Sequence, residues 1–151
     1  MKVIIIYEST HHGNTKKLVD AITTAHAEVE AVNVSDAGTV SLEDYDLIGL
    51  AAGISFSKFY RETERFALTL PEGKKVFLLY TCGLLKDRYT CSMESTIAKR
   101  GCTLAGKYGC LGFDTYGPFK LIGGIAKRHP TQDEISAAVK FYEGISAQSG
   151  R

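Results

Sequence analysis

The residues 7–17, YESTHHGNTKK, begin where the apolar run KVIIIY ends and bring together aliphatic hydroxyls, two histidines, a glycine and an amide. Ser9, Thr10, His11, His12, Gly13, Asn14 and Thr15 stand where a strand hands over to a helix. The first amides of such a helix have no partner within it. Unpaired amides at the positive helix end, hydroxyl donors and a glycine that lets the backbone close in together make a phosphate site. Capping by Asn14 or Thr15 is the simpler use of these residues, but it does not call for Ser9, Thr10 and Thr15 in one turn. The chain has no G-x-x-x-x-G-K-[ST] for a nucleoside triphosphate and no G-x-G-x-x-G for a dinucleotide at this junction. No lysine lies inside the loop, so the phosphate would rest on neutral donors, which suits a monophosphate ester. An imidazole of His11 or His12 is a further donor to it. With no acidic partner nearby, the pair makes a poor metal site.

The elements that must position this loop alternate short β-branched runs with segments of helical period, the pattern of parallel strands joined by crossover helices. Strands are expected over Lys2–Tyr7, Val29–Val34, Asp46–Ala52, Lys75–Thr81 and Thr103–Gly112. The first, third and fourth are nearly unbroken apolar runs, as for strands covered on both faces, and the second alternates like an edge. Helices are expected over Asn14–Ala27 (Leu18, Ile22 and Ala25 inward), Phe59–Leu70 (Phe66 and Leu70), Ser92–Arg100 and Thr131–Ser146 (Ile135, Val139 and Tyr142). The last opens on a capping box, Thr131 with Glu134. These elements make one doubly wound α/β sandwich over residues 1–151, with a five-stranded parallel sheet in the order 2-1-3-4-5. In that order ligands sit at the carboxyl ends of strands one, three and four. The stretch from Phe113 to Pro130 is longer than a connector usually is, and loops of that length tend to be functional.

Composition agrees. At 151 residues, 44% hydrophobic and 23% charged, the chain suits one domain with a sizeable core. No segment reaches the apolar length that spans a bilayer, so no membrane insertion is expected. The N-terminus lacks a signal-peptide pattern and reads as the first strand of a cytoplasmic protein. Cys82, Cys91, Cys102 and Cys110 contain no C-x-x-C, which favours reduced thiols. A net charge of +1 argues against nucleic acid held by bulk charge.

In this setting the first loop resembles the phosphate loop of the flavodoxin family, which runs hydroxyl, spacer, hydroxyl, glycine, any residue, threonine and binds the phosphate of FMN. Gly13, Asn14 and Thr15 match its ending and Ser9 and Thr10 its hydroxyls, while His11 and His12 stand where one residue is usual. The resemblance covers essentially the whole chain. It places Gly53, Ile54, Ser55, Phe56, Phe59 and Tyr60 in the first flavin-flanking loop, where an aromatic commonly stacks on the isoalloxazine. There is no tryptophan, so Phe56, Phe59 or Tyr60 would serve. A peptide at Gly53–Ile54 or Ile54–Ser55 would turn to accept from flavin N5. Thr81, Cys82, Gly83 and Leu84 match the second flanking loop, which reads the pyrimidine edge, with Tyr89 a candidate for the other ring face.

The resemblance implies a non-covalent FMN and an electron carrier between a reductase and an acceptor. The alternatives are an FMN-dependent reductase passing hydride from a nicotinamide to a quinone, and a non-catalytic flavin-binding module. No nucleophile or triad is evident in the loops. A receiver domain of the same topology would need an acidic pair after strand one and an aspartate after strand three, but Glu8 stands alone and Ala52-Gly53 follows strand three. A low-molecular-weight phosphatase would need a cysteine and an arginine in the first loop, which has neither. One departure from the family concerns charge, since flavodoxins are acidic around the cofactor. Here Lys58, Arg61, Lys86, Arg88, Lys120, Lys127 and Arg128 outnumber Glu62, Asp87 and Asp114. That favours an acidic redox partner, a phosphate-bearing nicotinamide or an anionic substrate, with Tyr116, Phe119 and Lys120 of the long loop on the partner surface.

Overall fold

A computed structural model describes residues 1–10, 12–115 and 117–151, with the backbone alone at 117–119. His11, Tyr116 and the side chain of Phe119, all singled out above, lie outside the described residues.

Five parallel strands form the sheet: β1 (Val3–Glu8), β2 (Val29–Asn33), β3 (Leu47–Ser55), β5 (Lys75–Cys82) and β6 (Thr103–Leu111). Their order is β2-β1-β3-β5-β6, and the two-residue β4 (Lys58–Phe59) folds back antiparallel on the end of β3. With β4 set aside this is the expected 2-1-3-4-5 order. The helices are α1 (Asn14–Ala25), α2 (Arg61–Ala67), α3 (Cys91–Lys99) and α4 (Gln132–Ser149), with α1 beside α4 and α2 beside α3.

Strand alternation divides the core between the two faces. Val3 and Ile5 of β1, with Phe77 and Leu79 of β5, pack with Val19 and Ile22 of α1 and Tyr142 and Ile145 of α4. Ile4, Ile6, Leu50 and Leu78 pack the opposite way, with Met93 and Ile97 of α3. Each such side chain, wholly removed from water, contributes about 1.5–3 kcal/mol. β2 lies at an edge, and its exposed Glu30 and Ala31 account for its broken apolar pattern.

Several expected boundaries move for local reasons. β3 runs on to Ser55 because Ile54 and Ser55 pair with Phe59 and Lys58 across a two-residue turn. α2 therefore begins only at Arg61 and ends at Ala67; it buries Thr63 and Ala67, with Leu70 just beyond, while Phe66 is half-buried. On α1, Val19 takes the inward place expected of Ala25, which is exposed. On α4, Ala138, Tyr142 and Ile145 form the buried line, with Ile135 and Val139 at its margin. Half of the capping box forms: the Thr131 hydroxyl accepts from the Glu134 amide at 3.2 Å, but the Glu134 carboxylate turns to His129.

Candidate functional site

The carboxyl ends of β1, β3 and β5 meet the start of α1 and the connection after β6. Gly13 caps α1 at φ +65°, a left-handed backbone that glycine adopts without cost, and His12 before it is also left-handed at φ +56°. The chain thus turns sharply, and the first-turn amides lie at the positive end of a twelve-residue helix. The Ser9 hydroxyl accepts from the Lys16 amide at 3.1 Å, so it braces the loop across the first turn of the helix. Thr10 is exposed beside it. The His12 ring lies 4.2 Å from that of Phe113, and its Nε2 is 3.1 Å from the Thr115 hydroxyl.

Thr15 is 1% exposed, and its hydroxyl lies 2.8 Å from that of Thr81 on β5. One proton serves that bond, which leaves the other hydroxyl to donate elsewhere. Asn14, only 6% exposed, donates through Nδ2 to the Phe113 carbonyl at 2.8 Å, while its Oδ1 is buried with no hydrogen-bond partner among the described residues. Asn14 borders a small cleft together with Ile54, Tyr60, Cys82, Gly112 and Asp114. Three glycines let its walls approach. A Cβ at Gly53 would stand 2.4 Å from the Tyr60 ring, one at Gly83 2.6 Å from the Asp114 carboxylate, and one at Gly112 2.7 Å from the Asn14 amide.

Not every aromatic expected at the site is there. Phe59 is 2% exposed, paired with Ile54 and packed on Tyr80 at 5.7 Å, which removes it from the cleft into the core. Tyr89, 9% exposed, belongs to the same core cluster. Phe56, by contrast, is 90% exposed at the tip of the β3–β4 turn, where both Phe56 and Ser57 have positive φ. Tyr60 is half-buried against Gly53. The Gly53 carbonyl accepts from the Tyr60 amide at 3.0 Å, and Ile54 and Ser55 lie in the ladder with β4. A peptide turn at Gly53–Ile54 or Ile54–Ser55 would therefore break hydrogen bonds already made.

Leu84 is exposed just after β5. Burial, with the nearby Asp114 carboxylate second, pushes the Cys82 thiol up to about 12, so it stays protonated and unreactive at neutral pH. Iodoacetamide on the native protein should accordingly label the exposed Cys91 and spare Cys82 and Cys110. Mass mapping checks this, and Cys82 labelled as fast as Cys91 would contradict it. Glu8 serves a structural end: its Oε2 accepts from the amide and hydroxyl of Thr63, each at 2.9 Å, and so caps α2.

Sequence reasoning did not single out Phe113 and Asp114 as one wall of this cleft. The contacts that bring them there, to Asn14 and Gly83, span long sequence separations and leave no local pattern.

The site suits a phosphate ester bearing hydroxyls. Its donors are neutral, the helix end supplies the positive field, and the buried Asn14 Oδ1 lacks the donor that a polyol chain would bring. The residues present therefore fit FMN.

The match to the flavodoxin domain spans residues 4–111. An uncharacterized protein of Methanocaldococcus jannaschii is 34% identical over 148 residues, covering 96% of this chain and 98% of that one. Among solved structures, a flavodoxin from the domain Archaea superposes with a TM-score of 0.72 at 17% identity, over all of both chains. A Fusobacterium nucleatum flavodoxin variant bound to flavin mononucleotide superposes at 0.66 with 16% identity, over 98% of this chain and 97% of that one. With strand order, cleft and domain match in agreement, the chain belongs to the flavodoxin domain family, whose cofactor is FMN.

Proposed function

We propose that this chain is a flavodoxin-type electron carrier, which holds FMN without a covalent bond and passes electrons between a reductase and an acceptor protein. The observation that carries the reading is the buried, unpartnered Asn14 Oδ1 beside the amino end of α1. A phosphate would lie against Gly13, Asn14 and Thr15 with Ser9, Thr10 and His12 around it. Ile54, Ser55 and Phe56 would flank the ring system on one side and Thr81, Cys82, Gly83 and Leu84 on the other. FMN brings the redox chemistry; the side chains bind it, orient it and keep water from part of it. Four unpaired cysteines suit a reducing, cytoplasmic setting, and among the described residues no helix is long and apolar enough to cross a membrane.

The purified protein is expected to be yellow, and heating it should release FMN, identified by chromatography. FAD as the dominant flavin, or flavin-free protein that does not take up FMN, would overturn the reading.

A further inference from the structure

The connections after β3, β5 and β6 all leave the same edge of a parallel sheet, so their charges face one way. Stretches 56–62, 83–90 and 112–131 hold seven basic residues and three acidic ones. The rest of the chain then holds eleven basic and fourteen acidic residues. A chain of net charge +1 therefore carries about four positive charges around the cleft and about three negative charges elsewhere. Lys58 and Arg61 lie beside the β3–β4 turn, Lys86 and Arg88 after β5, and Lys120, Lys127 and Arg128 after β6. All seven are exposed, and none forms an ion pair among the described residues. Of the opposing acids, Glu62 is already engaged by Arg65 at 3.5 Å.

The same loops expose apolar side chains. Phe56 and Leu121 are each 90% exposed, Ile122 is 70% exposed, and Leu84 and Leu85 are about half exposed. Apolar residues ringed by unpaired cations have the make-up of a protein interface with a charged rim. An aqueous small-molecule substrate would not call for them. Uncompensated charge of one sign at one end of a molecule steers the opposite charge toward it.

We propose that the redox partner of this chain docks on this edge through an acidic surface. This rests on the electron-carrier reading above and adds the sign of the partner's charge. Cytochrome c, a basic haem protein, and its succinylated, acidic form serve as probes, since they share one haem and differ in surface charge. The protein is reconstituted with FMN, confirmed by its absorbance, and reduced with dithionite. In each transfer one electron leaves the reduced flavin and one ferric haem becomes ferrous, so two haems are consumed per fully reduced FMN.

Raising the ionic strength from about 0.02 to 0.5 M is expected to slow reduction of the succinylated form roughly tenfold or more and to speed reduction of the native form. The variant carrying Lys86→Glu, Arg88→Glu, Lys120→Glu and Lys127→Glu should reverse both trends. Native cytochrome c slowing with salt, or neither form responding, would overturn the proposal. A flavin-free arm keeps this separate from the FMN reading. Amide chemical-shift mapping against ferrous succinylated cytochrome c should move residues within 56–62, 83–90 and 112–131, even in a protein that fails to take up FMN; shifts elsewhere, or none, would also overturn it. Co-sedimentation with phosphatidylserine vesicles, without binding to the acidic protein, would assign the basic edge to a lipid surface and overturn it as well.

Discussion

Thr15→Ala is expected to weaken FMN binding about tenfold to a hundredfold and to lower the free energy of unfolding by about 1–3 kcal/mol. The two losses have separate causes. The Thr15 and Thr81 hydroxyls share a 2.8 Å bond in a place almost closed to water, so removing one strands the other as a buried, unsatisfied group. The pair also holds one proton more than its mutual bond needs, and that proton is the donor available to a phosphate. Thr15→Val combined with Thr81→Val separates the effects. With both hydroxyls replaced by isosteric methyls, stability should return close to that of the parent, while FMN affinity stays low. Urea unfolding of flavin-free protein and titration of FMN fluorescence read the two quantities. Unchanged affinity in Thr15→Ala would mean that the hydroxyl pair only holds α1 to β5.

Phe77→Ala is expected to cost about 3–5 kcal/mol of stability, as for a fully buried aromatic cut back to a methyl. The ring lies over Gly49 on the neighbouring strand, within reach of Phe141 and Tyr142 of α4, with centroids 6.3 and 6.1 Å away. A Cβ at Gly49 would sit 2.4 Å from the ring's Cζ, so Gly49→Ala alone should cost about 1–3 kcal/mol by overpacking. Joined to Phe77→Ala, the same methyl enters the vacated space. The double variant should then be more stable than the sum of the two losses implies, by about 0.5–3 kcal/mol. Strict additivity in urea melts would show that the helix above, and not the Gly49 methyl, collapses into the gap.

How much of this could be read from residues alone depended on the range of the interaction. The strands were legible because burial on both faces leaves runs such as KVIIIY and KVFLLY, and the switch to helical period marks each crossover. The sharp turn from β1 into α1 was legible because its hydroxyls, amide and glycine are neighbours in the chain. The β3–β4 hairpin was not, since its turn residues, Phe56 and Ser57, hold left-handed backbone without the Asn-Gly or Gly-Gly signal of such turns. Phe59 and Tyr89 looked like ring-flanking aromatics because they stand beside the right strands. Pairing across the hairpin points Phe59 inward, and the turn over Asp87–Thr90 buries Tyr89. The third wall of the cleft depends on Asn14 meeting Phe113, a contact that no local pattern announces.

The connection after β6 is closed at its neck. Asp114 and Ile125 exchange hydrogen bonds of 2.9 and 2.7 Å, Phe113 donates to the His129 carbonyl at 3.0 Å, and Asn14 holds the Phe113 carbonyl. Just past the neck the Thr115 hydroxyl meets His12 Nε2 at 3.1 Å, so the root of the loop is tied to the turn before α1. Doubling the length of a flexible loop costs only about 0.6 kcal/mol once its ends are held. With Thr115 kept, an insertion or graft in residues 117–124 is expected to rewrite which protein is met while the hydrogen bonds of the neck hold the cofactor end in place. Evolution could change the wiring of this carrier in the same way, one loop at a time.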